Sequence, residues 1–263
     1  MRLETIKLDR RPDGVARITL ARPDKHNALN IAMIRELTEV ACLLGGDRAI
    51  RVVVLAGEGK SFCAGGDLDW MAEQMVKDRA GRMAEARELA LMLAALDAMP
   101  KPLIGRVHGA AFGGGVGLMA VCDTVIAADT AKFALTEVRL GLIPATIGPF
   151  VVRRIGERGA RRFMLNARTF DAATARGMGL VFEVVAGGDL DAAVAAEVSA
   201  ILECAPGAVA AAKALCRHLG RHTSDDQQAW SVEQLADRWE SVEAKEGLDC
   251  FFARREPSWR RKL

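Results

Sequence analysis

Two glycine-rich stretches carry the residue types best suited to chemistry. The first is HGAAFGGGVGLMAVCD at 108–123, with three consecutive glycines at 113–115 and a fourth at 117. The second is SFCAGGD at 61–67. Glycine lets a backbone come close to a ligand, so the question is which ligand. A phosphate loop of the Walker type needs Gly-Lys-Ser/Thr at fixed spacing, and no such lysine follows. A dinucleotide fingerprint placed on Gly113 and Gly115 lacks its third glycine and the acidic residue after the next strand. An oxyanion turn suits the pattern better. A strand ending near Gly109, a tight turn and a helix starting near Gly114 would leave backbone N–H groups aimed at one spot, with the helix dipole adding positive potential. Such donors stabilise charge growing on a carbonyl oxygen, each well-placed one worth about 3–4 kcal/mol of barrier. The 61–67 turn also follows an apolar strand and precedes a helix, LDWMAEQMVK, so it suits the same use. Taken singly, either turn reads equally well as a tight connection.

Positioning these turns requires alternating strands and helices, and the first two thirds of the chain supply them. VARITL at 15–20 and IRVVVLAG at 50–57 are short β-branched runs ending in loop signals. Between them Asn30 can cap a helix whose apolar face carries Ile34, Leu37, Ala41 and Leu44. PLIGRVHG (102–109), DTVIAAD (123–129) and GLVFEVV (179–185) read as further strands, with helices over 82–98 and 148–166. Strands alternating with helices imply an α/β fold built from βαβ units. After about residue 188 the pattern becomes helical: 189–205, 206–220 and 225–255 carry alanine and leucine at helical spacing. This tail is too small to bury its own core, so it should dock on the chain or on a neighbouring subunit.

Composition narrows the function classes. The 263 residues are 51% hydrophobic and 27% charged, enough apolar material for one sizeable core. A net charge of +2, no tyrosine and no basic stripe interleaved with aromatics argue against nucleic acid as partner. The longest uncharged run, 107–122, is too short and glycine-rich to span a membrane, and the opening MRLETIKLDRRPDG lacks the apolar core of a signal peptide. A cytoplasmic protein without membrane contact is the expectation. The six cysteines, at 42, 63, 122, 204, 216 and 250, form no CxxC pair and read as buried thiols. His218 and His222 stand four apart without an HExxH glutamate, which suits a solvated helix face rather than a metal site. No metal is expected.

Taken in order, ARPDKHNALN, SFCAGGDLDW, HGAAFGGGVGLMAVCD, KFALTEVRLGLIP, GERGARRFMLNARTFDAATARGMGLV and EGLDCFFARREP resemble the enoyl-CoA hydratase/isomerase (crotonase) family over almost the full length. The resemblance implies a crotonase-type spiral of ββα units over 1–188, holding acyl-CoA, and a helical region over 189–263 that trimerises. It implies an acyl-CoA thioester as ligand, coenzyme A being part of the substrate and no separate cofactor being needed, and a homotrimer or homohexamer. Carried over by position, the amides of Gly66 and Gly114 hold the thioester oxygen. Lys25, His26 and Ala28, with Ala64, Gly65, Asp67 and Leu68, line the coenzyme A channel, and Gly117 belongs to the same substrate site. Arg254 and Arg255 fall where basic residues meet a coenzyme A phosphate, though solvated helix charge explains them equally well.

Position 117 departs from the family pattern. Hydratases with two catalytic glutamates carry one where this chain has Gly117 and the other at Glu137, so Glu137 is the sole carboxylate left. Moving a double bond from the 3-enoyl to the 2-enoyl position needs one base; hydration needs that base to return the proton it takes from water, or a second group to orient the water. LTEVRLGLIPATIGPFVVRRIGERGARR nevertheless resembles bacterial hydratases of branched glutaconyl-CoA esters, such as methylglutaconyl- or isohexenylglutaconyl-CoA, in leucine and isoprenoid breakdown. The expectation is an enoyl-CoA hydratase-type lyase, with an isomerase using Glu137 alone as the alternative and an acyl-CoA binder without turnover as a third reading. Arg139, two residues from Glu137, is a candidate for holding a distal substrate carboxylate, with a surface role as its other reading.

Overall fold

A computed structural model describes residues 2–220, Asp237 and residues 241–259. Strands β1 (Ile6–Arg10), β2 (Val15–Leu20), β3 (Val52–Gly57), β4 (Leu103–Val107), β6 (Thr124–Ala128) and β9 (Glu183–Val185) form one sheet in the order β1-β2-β3-β4-β6-β9. Only the β1–β2 pair is antiparallel; the remaining pairs run parallel. A second sheet, β5-β7-β8, is built from β5 (Ala110–Phe112), β7 (Lys132–Ala134) and β8 (Phe170–Asp171).

The inner strands read as unbroken apolar runs because both faces of the large sheet are covered. Alternate residues Ile18, Val53, Leu55, Leu103, Val107 and Val125 enter the main core. Helices α1 (Ile31–Gly46) and α3 (Arg79–Ala98) supply Ile34, Leu37, Met92 and Leu96 to it. The opposite parity, Val15, Val54, Ile104 and Ile126, meets Leu190, Val194, Val198 and Leu202 of α7 (Leu190–Leu202). Asn30 caps α1 as expected, its side chain accepting from the Met33 amide at 3.0 Å.

The remaining helices are α2 (Leu68–Val76), α4 (Gly114–Ala120), α5 (Gly148–Met164), α6 (Ala172–Gly177), α8 (Pro206–Leu219) and α9 (Val242–Ala253). Two sequence expectations need correction. The strand expected over 179–185 begins only at Glu183, because Leu180 and Val181 enter the core from a loop. The helix expected over 148–166 ends at Met164 and bends at Gly156, whose φ is 71°. The short strands β5, β7 and β8 carry no periodic signal, since two or three residues cannot establish one. Of the helix expected over 225–255, Val242–Ala253 lies among the described residues.

Helix α8 has no fully buried residue and is fastened by charge. Lys213 pairs with Asp123 at 2.7 Å and donates to the Lys101 carbonyl, and Arg217 pairs with Asp97 at 3.1 Å. Asp97 also pairs with Arg153 of α5, so one buried carboxylate joins three helices. The cysteine expectation held for half of the set: all six are free, with Cys63, Cys122 and Cys250 buried and Cys42, Cys204 and Cys216 exposed. Cys42, for example, lies just off the stripe that turns Ala41 and Leu44 inward. No single described helix is long and apolar enough to cross a membrane.

Candidate active site

The two glycine turns meet at an isolated parallel bridge between Cys63 and Ala111. Cys63 donates to the Ala110 carbonyl at 3.1 Å and accepts from the Phe112 amide at 2.9 Å. The approach requires glycine: a Cβ on Gly115 would stand 2.3 Å from the Cys63 carbonyl oxygen. Burial pushes the Cys63 thiol up to about 12, so it stays protonated and inert behind the turn.

Each turn leaves one amide over. Gly66 bridges Leu29 in parallel, and that bridge uses the Gly65 carbonyl (2.7 Å) and the Asp67 amide (2.9 Å) on either side of it. Gly66's own N–H points the other way, as alternation along a strand demands. Gly113 spends its amide on the Ala134 carbonyl of β7 at 2.9 Å, and Gly114 then opens α4, where the first turn has no intrahelical acceptor. Among the described residues, neither the Gly66 nor the Gly114 amide has a hydrogen-bond acceptor. Both line one cavity of about 590 Å³.

Glu137 lines the same cavity. Pairing of β5 with β7 sets Phe112 beside Ala134, which brings the loop after β7 against the second turn. There Glu137 opens a 3-10 helix, Glu137–Leu140, closed by Gly141 with φ 71°. Its Oε1 lies 2.9 Å from where a Cβ on Gly113 would be, so the missing side chain makes room for the carboxylate. Its Oε2 is buried without a partner among the described residues. Burial pushes this carboxyl above the ordinary glutamate range, partly offset by a hydrogen bond from its own backbone amide.

Position 117 is also explained. Gly117 lies one turn beyond Gly113 on α4, its amide bonded to the Gly113 carbonyl at 3.1 Å. A Cβ there would come within 2.5 Å of Ile147 Cγ2. Ile147 therefore fills the place a side chain at 117 would take, and Ile147, not Gly117, lines the cavity. Gly117, expected in the substrate site, is thus not part of this cavity's lining.

The residues expected along the coenzyme A channel form a ladder beside Gly66. Ala64 donates to the His26 carbonyl at 3.0 Å, and Lys25 pairs with Asp69 at 3.0 Å. His26 Nδ1 lies 3.1 Å from the Ser61 hydroxyl, and the buried Ala28 gives its carbonyl to Arg22. The Asp67 side chain is committed elsewhere: it caps α2 and pairs with Arg22 at 2.7 Å. Burial opposes its ionisation, but Arg22 and the two capped amides prevail and hold it below the usual range. Leu68 is 78% exposed. Asn27, within the same Lys25–Ala28 stretch, ties the ladder together through the Glu58 and Ser61 carbonyls, both at 2.8 Å, at a positive φ of 55°.

For Arg139 the structure matches the surface reading. The residue sits in the 3-10 turn rather than a strand, and its guanidinium donates to the Ala167 carbonyl at 2.9 Å, away from the cavity. The cation in the cavity lining is Arg82, which sequence reasoning missed. Arg82 bonds the Gln74 and Met75 carbonyls at the end of α2, and Glu85 binds Trp70, Gln74 and Lys77. This clasp holds α2, which has no fully buried residue, as one wall of the cavity. Leu142, Ile143 and Ile147 also line it. Arg254 and Arg255 are exposed on the C-terminal segment. His218 lies half-buried on α8, and His222 falls outside the described residues. Among the described residues no cluster of His, Cys, Asp and Glu could hold a metal ion.

Two free amides and one desolvated carboxylate in a single cavity are equipment for moving a proton beside a polarised carbonyl. The chain matches the family model described as enoyl-CoA hydratase/isomerase over residues 10–262, and it belongs to that family. Its structure is similar to that of an enoyl-CoA hydratase from Shewanella pealeana (39% identity, 98% of this chain and 97% of that one, TM-score 0.94). It is equally similar to Pseudomonas aeruginosa AtuE (38% identity, 98% and 100%, TM-score 0.94). A probable enoyl-CoA hydratase echA8 of Mycobacterium tuberculosis is 33% identical over 260 residues, 98% of this chain and 99% of that protein.

The Gly117–Ile147 contact predicts a compensated pair. Gly117→Ala should destabilise the fold by about 1–3 kcal/mol through overpacking, and Ile147→Ala in the same chain should recover part of that loss. Denaturant unfolding of both single variants and the double variant measures the coupling, and simple additivity would contradict the contact.

Proposed function

We propose that this enzyme adds water to a 2-enoyl-CoA thioester, with Glu137 as its acid and base. The observation carrying this reading is the buried, unpartnered Glu137 oxygen in one cavity with the free amides of Gly66 and Gly114. The thioester oxygen sits between the two amides. Water gives a proton to Glu137 as its oxygen bonds to Cβ, and the π electrons move onto the carbonyl as an enolate. Glu137 then returns the proton to Cα. The relatives named as enoyl-CoA hydratases support the reaction class.

A second reading, 3-enoyl to 2-enoyl isomerisation, is favoured by Ile147, which puts an aliphatic group where a second carboxylate would stand. The products separate the two. In water labelled with oxygen-18, a hydratase places the label at Cβ, whereas an isomerase shifts the double bond and adds no oxygen. Glu137→Gln should reduce turnover by about 10³-fold or more while acyl-CoA affinity changes only a few-fold. Affinity without conversion in the wild type, over a panel of enoyl esters, would mark a binder instead.

Glu137 acts as a carboxylate, and its carboxyl is raised by burial. The acid limb of kcat/KM should therefore lie above the ordinary glutamate value of 4.5, activity falling as pH drops through it. The same shift weakens the fold once the group ionises: stability is full below the unfolded value and declines as pH rises through the folded one. At pH 7 Glu137→Gln should melt no lower than the wild type, a result a merely structural glutamate would not give.

The finer reading, a branched glutaconyl ester, is supported by Arg82 in the cavity lining. Two backbone carbonyls fix its guanidinium, leaving further donors for a substrate carboxylate. Arg82→Met should lower kcat/KM for a glutaconyl ester about tenfold more than for a neutral ester of equal length. Because loosening α2 affects both esters, the ratio isolates the charge; an unchanged ratio counts against the glutaconyl reading. A helical tail whose α8 buries no residue also supports the proposal of a trimer or hexamer with that region at the contacts.

A further inference from the structure

Hydration with one carboxylate leaves a gap. Glu137 takes the proton from water, but a water held by one hydrogen bond pivots freely about it. A second partner is needed to turn its lone pair toward Cβ. Position 117 cannot provide one, since Ile147 occupies that space.

The polar side chains lining the cavity are few. Trp70 and Gln74 donate to Glu85, and Arg82 is held by the Gln74 and Met75 carbonyls. These groups belong to the α2–α3 clasp. The other two are Glu137 and Thr146. Thr146 is half-buried, and its hydroxyl makes no hydrogen bond to another described residue. It directly precedes Ile147. Glu137 stands against Gly113, just ahead of α4, and Ile147 against Gly117 four residues on, a rise of about 6 Å. The Thr146–Ile147 segment therefore packs against α4 one turn from the place where Glu137 stands against Gly113.

We propose that the Thr146 hydroxyl is the second partner of the nucleophilic water, taking over the orienting task that a carboxylate at position 117 would perform. This rests on the hydratase reading. Water donates one hydrogen to Glu137 and the other to Thr146 Oγ1, which directs its oxygen at Cβ. As the C–O bond forms, only the proton on the Glu137 side transfers; Thr146 stays neutral and keeps its own proton.

Thr146→Val retains the shape and deletes the hydroxyl. It should lower kcat for 2-enoyl-CoA hydration about 10- to 100-fold, the range for losing a hydrogen bond to a group developing charge, with KM changed less than about twofold. Thr146→Ser should restore most of the rate. Exchange of the Cα protons of a saturated acyl-CoA with deuterium oxide needs Glu137 and the two amides but no added water, so it should proceed at the wild-type rate in Thr146→Val. Undiminished hydration by Thr146→Val overturns the assignment. A parallel loss of hydration and exchange also overturns it, because Thr146 would then act through the fold. A wild-type enzyme that takes up no oxygen-18 defeats the hydratase reading itself, an outcome distinct from label uptake that is indifferent to Thr146.

Discussion

The site depends on the close contact of two backbone turns from neighbouring parallel strands. Cys63 and Ala111 form a bridge two hydrogen bonds wide, and Gly115 sits so near the Cys63 carbonyl that no side chain fits. Strands β3 and β4 pair side by side, so the turns that follow them emerge together. The bridge then sets their relative position. With it in place, the Gly66 and Gly114 amides are held by main-chain geometry and require no side chain to be oriented. Main-chain donors fixed in this way need little reorganisation as charge develops on a carbonyl, which is the physical basis of oxyanion stabilisation.

These unused donors lie beside a carboxylate that has lost water without gaining a partner. Each such group opposes folding, since a desolvated polar atom without a hydrogen bond is unfavourable by about 1–3 kcal/mol. The surrounding architecture offsets that expense: the large sheet is covered on both faces, and the two apolar clusters draw on nearly every strand. Ile147 belongs to the same compromise. It fills the hollow over Gly117 and keeps α4 packed, and it leaves one side of the reaction space aliphatic.

The periphery is held differently from the centre. Helix α2 rests on α3 through Arg82 and Glu85, and α8 rests on the core through Lys213 and Arg217, with few fully buried apolar contacts in either case. Polar attachment leaves this wall of the cavity easier to open, because such contacts break at lower free energy than a packed apolar seam. Met75, Leu142 and Ile143, which also line the cavity, are left exposed.

Local sequence determined much of this. The β-branched runs and helical patterns placed β2, β3, β4, β6 and most helices, Asn30 announced its cap, and the glycine spacing with its family resemblance singled out Gly66, Gly114 and Glu137. These signals are short-range, so one chain carries them without reference to its neighbours. Other features depended on which distant segments came together. That the Gly66 amide stays free follows from a bridge to Leu29, thirty-seven residues earlier. That Gly117 is closed off follows from Ile147, and that Arg139 turns away while Arg82 faces inward follows from a 3-10 turn and the end of α2. Thr146 carries no motif at all. Its setting exists only because β5 pairs with β7 and swings the 137–147 loop over α4. The direction in which a side chain or an amide points is decided by long-range pairing, and tertiary structure alone settles it.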